Sequence, residues 1–420
     1  MSHEVAGQDS VPLPSRVAAA RVGRHSRLQL GRALWVQVHL YLGLSAGALL
    51  VLFGLTGSLL VFWQEIDEWL NPALLTVPVP PETGGNYRSW GEILAAAERA
   101  ALPESAITQV YAPAGSQGVA AVYLQHPSKA WQRVYVDPYR AVVTGIRTYG
   151  AGELVPMYLM DVVFQLHYAL FLGERGMTAA AIGALLLILS LVTGLIVWWP
   201  RGGQWRQAFV IRRPSRPFRL LFDLHKTSSL YTCLVLGAVL LSGVYMNMAD
   251  PFIRVTQLFS PATRGTVTAP EPGADSGAPS ISAERAEAIA ASRYPEGSLA
   301  WITMPDGPRG VYQIVRQNVP RLSPFWSERI VSIDPSSGEI LDVRAPDTRR
   351  SAGETFIDWQ WPLHSGKAFG WGGRLVVFVA GLSCPVIYVT GLLMWWRKRR
   401  RREQGVSASG LTPTRKEAAR

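Results

Sequence analysis

Residues 177–199 read MTAAAIGALLLILSLVTGLIVWW, a run without a single charge. About 20 apolar residues suffice to carry a helix across a bilayer, and a soluble core helix of this length would keep a polar face. Three other stretches share the character, about Leu34–Trp63, Thr227–Met248 and Arg374–Trp396. The chain is expected to cross a membrane four times. Arg16–Arg32 resembles the basic start of a signal peptide, but roughly 30 apolar-rich residues follow with no clear small-residue cleavage site. The first stretch therefore reads as a retained anchor.

The composition fits once its distribution is read. Over 420 residues the chain is 48% hydrophobic and only 17% charged, with a net charge of +11. A basic chain raises nucleic acid as a partner, but here the charges are segregated. Segments 1–33, 200–224 and 397–420 hold 20 Lys/Arg against 5 Asp/Glu, whereas 64–166 and 250–363 hold 17 against 24. An excess of Lys/Arg beside spans marks the cytoplasmic side. Both termini and the 200–224 loop are thus expected on the cytoplasmic side, with the two long segments outside, and nucleic acid drops out. Trp198–Trp199 and Trp395–Trp396 close two spans as an aromatic belt would, and Arg397–Arg402 is a signal for topology and anionic lipid. The two cysteines, Cys233 and Cys384, lie within spans and read as packing residues. They are too few for a disulfide framework or a four-thiolate metal site.

Self-similarity organises the chain further. An offset of 197 takes Leu166–His167 to Leu363–His364, Asp137–Pro138 to Asp334–Pro335 and Asp161 to Asp358. It also takes Gly173 and Gly176 to Gly370 and Gly373, Thr193–Gly194 to Thr390–Gly391, and one Trp pair to the other. An offset of 186 takes His39 to His225 and Gly57 to Gly243. One unit of span, outer domain and span is used twice, and two spans per unit make the copies parallel repeats. The expected organisation is a basic tail 1–33, span 34–63, outer domain 64–154, interfacial segment 155–176, span 177–199 and basic loop 200–224. Span 225–249, outer domain 250–354, interfacial segment 355–373, span 374–396 and basic tail 397–420 follow.

Each outer domain reads as a small α+β unit, one helix on an antiparallel sheet. Ser89 caps the first helix, before strand-like runs near Gln109–Tyr111, Val119–Gln125 and Val134–Val136. Ser282 starts the second, before runs near Leu299–Thr303, Val311–Arg316 and Arg329–Ile333. Asp334-Pro-Ser-Ser-Gly338 has turn chemistry, Pro fixing φ and Gly tolerating positive φ. Residues 261–280, rich in Pro, Ala, Gly and Ser, read as a linker.

A helix, three strands and a V-x-x-D-P-x-x-G-x-[IV] turn resemble a PepSY domain. Two of them, flanked by spans with Leu-His and Thr-Gly…Trp-Trp patterns, resemble the PepSY-associated transmembrane helix family from about residue 30 to 400. Ala141 departs from the pattern where Gly338 stands, which is expected to weaken the first turn. The family includes iron-regulated inner-membrane proteins and haem-containing reductases of ferric siderophores, so the resemblance implies an oxidoreductase of that kind.

Four of the seven histidines fall in two pairs related by these offsets: His39 with His225 near the inner span ends, His167 with His364 near the outer ones. Haem b between helices needs two neutral imidazoles across the porphyrin in a water-poor slot. Depth pairs His39 with His225 on one haem and His167 with His364 on a second. His167 to Trp198 spans 31 residues, about 46 Å as one helix against a hydrocarbon core of about 30 Å. The outer pair therefore lies at or above the boundary, or the helix bends at the Gly173–Gly176 and Gly370–Gly373 motifs.

Other roles compete. The histidines could be interfacial side chains, or ligands of a non-haem metal with Asp161 and Asp358, although six residues is a poor spacing for one helix face. Arg175, Lys226, Lys367 and Arg374 border the membrane, suited to interfacial anchoring or to haem propionates. The small residues Thr193–Gly194, Thr390–Gly391, Gly57 and Gly243 suit close packing or room for a porphyrin face. No G-x-G-x-x-G follows a strand and no P-loop appears, so electrons must come from a separate reductase or from quinol. The expected function is reduction of a ferric siderophore or chelate in the periplasm, with the outer domains cradling it. The rival is a cofactor-free membrane protein that binds peptides or restrains a protease.

Overall fold

The computed structural model describes residues 16–149, 153–200, 203, 205–212, 217–263, 267–269, 280–320, 328–345, 348 and 350–409, with the side chains of 16–30, 83 and 402–409 left aside. Residues 270–279 of the expected linker, the tails 1–15 and 410–420, and 213–216 of the basic loop lie outside the described residues.

Four helices are long and apolar enough to cross a membrane: α1 (Arg16–Val61), α6 (Gly173–Trp198), α8 (Pro217–Asn247) and α13 (Gly370–Ser409). Leu185, Leu189, Val192 and Ile196 leave α6 exposed, while Ala180, Ala181, Ala184 and Leu187 are buried. That is the inversion of a soluble helix expected of a lipid-facing one. Small residues bring α1 and α13 together: a Cβ on Gly54 would stand 2.6 Å from Cys384 Cβ and 2.7 Å from the Gly381 carbonyl. Ser58 Oγ donates to the Phe378 carbonyl at 2.9 Å beside this contact. Cys384 is fully buried there, a packing residue as expected. The protein is a multi-pass membrane protein.

Contacts divide the chain into two compact units, residues 1–48, 186–233 and 386–420 in one and 49–185 and 234–385 in the other. Every long helix contributes to both.

Between α1 and α6 run α2 (Trp63–Leu70), α3 (Pro72–Leu75), α4 (Trp90–Ala100), β1 (Ala106–Tyr111), β2 (Ala120–Gln125), β3 (Trp131–Asp137), β4 (Val142–Thr148) and α5 (Leu159–Ala169). The short helix α7 (Trp205–Ala208) precedes α8. After α8 come α9 (Ala249–Gln257), α10 (Ala283–Arg293), β5 (Ser298–Thr303), β6 (Tyr312–Gln317), β7 (Arg329–Ile333), β8 (Ile340–Arg344), α11 (Ala352–Asp358) and α12 (Gln360–Ser365).

The strands differ from the two separate three-stranded domains expected. They form one eight-stranded antiparallel sheet, β4-β3-β2-β1-β5-β6-β7-β8, joined at its centre by Gln109↔Thr303, Val110↔Ile302 and Tyr111↔Trp301. Pairing β1 with β5 removes the two edges that separate domains would expose. The edge strands β4 (VVTGIRT) and β8 (ILDVR) escaped sequence reading because a glycine or charges interrupt their apolar pattern.

Both capped helices form. Ser89 and Glu92 make a reciprocal capping box on α4, and Ser282 Oγ accepts from Arg285 N on α10. Their apolar sides, Ile93, Ala96, Ala97, Ala286 and Ala290, share one core with Val122, Val134, Ile302, Ile314 and Val331 of the sheet. The Asp-Pro turn survives in both halves, because Ala141 takes the left-handed conformation (φ 52°) that Gly338 takes freely (φ 76°). The left-handed region is sterically costly for a residue with a Cβ.

Candidate functional site

The outer histidines lie on short helices, because the chain breaks before α6 and α13. Leu170 and Phe171 take positive φ after α5, and Gly366 and Gly370 do so after α12. The glycine motifs close these breaks. Without a Cβ, Gly176 lies against the Ala169 carbonyl and Gly373 against that of Gly366. A true break thus replaces the long single helix, and His167 stands on α5 and His364 on α12.

Each expected pair meets. The rings of His39 and His225 have centres 6.2 Å apart and planes at 73°, and those of His167 and His364 have centres 6.0 Å apart and planes at 65°. A metal–imidazole bond of about 2 Å on either side of one ion puts the ligating nitrogens about 4 Å apart and the ring centres roughly 6 Å apart.

Every ring is held by its Nδ1. Nδ1 of His39 lies 3.0 Å from the Ser190 carbonyl and 3.3 Å from Thr193 Oγ1. For His225 the partners are the Ile387 carbonyl at 2.8 Å and Thr390 Oγ1 at 3.4 Å. His167 meets Thr56 Oγ1 at 2.8 Å, and His364 meets Ser242 Oγ at 2.9 Å and the Val239 carbonyl at 3.0 Å. A carbonyl can only accept. The hydroxyls already donate within their own helices, Thr56 to the Leu52 carbonyl at 2.6 Å and Ser242 to that of Ala238 at 2.7 Å. The proton is therefore assigned to Nδ1 in all four rings, leaving Nε2 as the lone pair, the tautomer a metal-bound histidine takes.

A glycine follows each hydroxyl. Thr56–Gly57, Thr193–Gly194, Ser242–Gly243 and Thr390–Gly391 make four cradles, each receiving a histidine from another helix. A Cβ on the glycine would stand 3.1 Å from Cε1 of His167, 3.0 Å from that of His39, 3.5 Å from that of His364 and 3.2 Å from that of His225, in that order. These small residues therefore seat the imidazole edges. Sequence reading missed Thr56 and Ser242, although the 186-residue offset that relates Gly57 to Gly243 also relates them.

Burial and the neighbouring His364 push the His167 imidazolium down to about 3, and burial likewise lowers His364. Both are neutral at pH 7, as ligation requires.

Other candidates turn elsewhere. Asp161 and Asp358 face arginines of the sheet, and among the described residues no group of three or more His, Cys, Asp or Glu could hold a metal ion. Arg374 donates to the Val61 carbonyl at 2.7 Å and pairs with Glu65 at 2.6 Å. Lys226 Nζ reaches Asp223 at 3.2 Å and the carbonyls of Gln207 and Val210 at 3.1 Å each. Both are engaged by carbonyls and a carboxylate of the chain itself.

Each pair thus offers two imidazoles that carry their proton on Nδ1 and keep the Nε2 lone pair, the kind of donor set a haem iron takes. The glycines beside them are filled by the imidazole edges. Fold and site define a multi-pass membrane protein whose helices bring histidines together in two pairs. The chain belongs to the family described as the PepSY-associated TM region, whose model matches residues 36–398, all four histidines and the whole sheet included. Comparison with curated proteins finds no match.

Proposed function

We propose that the protein is a b-type haem protein of the bacterial inner membrane that passes electrons outward and reduces a ferric siderophore or other ferric chelate in the periplasm. The carrying observation is the pair geometry, ring centres 6.2 and 6.0 Å apart with every Nδ1 engaged. His39 and His225 would hold an inner haem b, and His167 and His364 an outer one. Bound haem supplies a one-electron centre at each pair. The chain's own part is to fix the tautomers, orient the rings and keep water from them.

The basic segments support cytoplasmic termini, and the offsets support two parallel copies of one unit whose PepSY-like halves share the sheet. A separate cytoplasmic reductase or quinol would deliver electrons to the inner pair. Release of iron follows because Fe(II) is held more weakly than Fe(III) by hard oxygen ligands.

Proteoliposomes test this. With a reductant enclosed and a ferric chelate outside, Fe(II) should appear outside with wild-type protein and fall to the protein-free rate with His167→Ala. Wild-type vesicles no faster than empty ones would overturn the proposal and leave the cofactor-free, peptide-binding reading in its place.

A further inference from the structure

His167 and His364 stand on helices of 11 and 6 residues, so contacts beyond these short helices must help set where the rings sit. The nearest charged anchors recur at the same spacing in both halves. Asp161 lies six residues before His167 and fourteen after Arg147; Asp358 lies six before His364 and fourteen after Arg344. Arg147 is near the end of β4 and Arg344 ends β8, the last strand of each half.

All four charged groups are removed from water. Arg147 is 1% exposed and Asp161 5%. Asp161 lies 3.9 Å from Arg147 Nη1 and 3.7 Å from Arg133 Nη1 of β3. Asp358 pairs directly with Arg344, their side chains 10% and 8% exposed. The arginines are held in turn. Arg147 forks onto Asp67 of α2 at 2.7 and 2.8 Å, and Arg133 lies over the Tyr123 ring at 4.5 Å. In the second half the 186-residue offset from Asp67 lands on Ile253, buried with Ile357 in one apolar cluster. One half therefore closes this junction with a charge network, the other with one ion pair and an apolar contact.

We infer that Asp161 and Asp358 are positioning residues: their ion pairs with sheet arginines fix α5 and α12 to the sheet and so set the separation of His167 and His364. The inference rests on the reading of that pair as ligands. A carboxamide at Asp358 leaves the buried Arg344 without its carboxylate. One at Asp161 does so for Arg133, while Arg147 keeps Asp67. The junction must loosen to hydrate the arginine so stripped. The inner pair, His39 and His225, has no such link among the described residues and should not respond.

The test compares full-length wild type with Asp161→Asn and Asp358→Asn in nanodiscs, with two readouts. Exchange of histidine Cε1–H measured by mass spectrometry needs no cofactor. It should accelerate about tenfold at His167 and His364 in the variants and stay within twofold at His39 and His225. Where haem is bound, the potential of the centre lost in His167→Ala should shift, while that lost in His39→Ala stays put. Asp358→Glu should restore wild-type values. Unchanged exchange at His167 and His364, or equal acceleration at all four histidines, overturns the inference. Colourless wild-type protein instead overturns the haem proposal and leaves the exchange result to decide this one. If an Asn variant fails to accumulate, the swapped pair Arg344→Asp with Asp358→Arg replaces it, and exchange there unlike wild type counts against the inference.

Discussion

Thr56 Oγ1 accepts the Nδ1–H of His167 at 2.8 Å while donating its own proton to the Leu52 carbonyl at 2.6 Å. One hydroxyl on a membrane-spanning helix thus selects the tautomer of a histidine 111 residues away. Loss of a partner of this kind lowers metal affinity about 10–100-fold. Thr56→Val should therefore weaken haem retention at the outer pair by that order and leave the inner pair unaffected. Haem content after dialysis against apomyoglobin, compared with wild type, checks it.

The four glycines are predicted to differ in tolerance. At Gly194, Gly57 and Gly391 an added Cβ falls 3.0–3.2 Å from a histidine Cε1, so the ring must give way. Gly194→Ala, Gly57→Ala and Gly391→Ala should each lower haem content at the pair they touch. At Gly243 the distance is 3.5 Å, an ordinary contact. There the helix-propensity gain of about 1 kcal/mol should leave Gly243→Ala as stable as wild type or more so in thermal unfolding.

The four spans were legible in the sequence, and so was the meeting of each pair of rings; that His167 and His364 stand on separate short helices was not. Charge-free runs such as Met177–Trp199 announce a lipid environment directly, and the 186- and 197-residue offsets single out four histidines among seven. The union of the strands into one sheet was not legible. Tyr111 and Trp301 become neighbours only through a pairing almost 200 residues apart in sequence, to which neither strand's local pattern refers. The cradles were half legible: the glycines stood out, but a lone serine or threonine in a span more often bonds its own helix. Asp161 and Asp358 stood out too, yet their partners Arg147 and Arg344 are seen only once β4 and β8 form.

The Arg147–Asp67 fork is buried and bidentate. Removing one partner of such a pair costs about 3–5 kcal/mol, whereas replacing both by well-packed apolar groups is often neutral. Asp67→Ala should lower the unfolding temperature of the sheet region clearly, and Arg147→Met combined with Asp67→Leu should recover part of the loss, Asp161 then keeping only Arg133. Differential scanning calorimetry of the full chain distinguishes the two.

Acid should loosen the second half of the sheet. Asp334 accepts from Ser336 Oγ at 2.6 Å, Ser336 N at 2.7 Å and Ser337 N at 3.4 Å. These bonds, the Ser336 hydroxyl first, hold its carboxyl below the usual carboxylate range. A folded pKa below the unfolded one stabilises fully above the ordinary value of about 4, and the contribution is lost as pH falls through the folded pKa. Asp334→Asn should flatten the acid limb of a stability–pH profile, its loss of stability greatest at neutral pH and vanishing below the folded pKa.

The most direct measurement is haem-to-protein stoichiometry with a reduced-minus-oxidised spectrum, on protein purified from haem-replete cells. Wild type is predicted to carry two low-spin b-type haems per chain, with His39→Ala and His167→Ala each retaining the other pair's haem. A colourless wild-type preparation, or a haem content that neither substitution changes, would contradict the account.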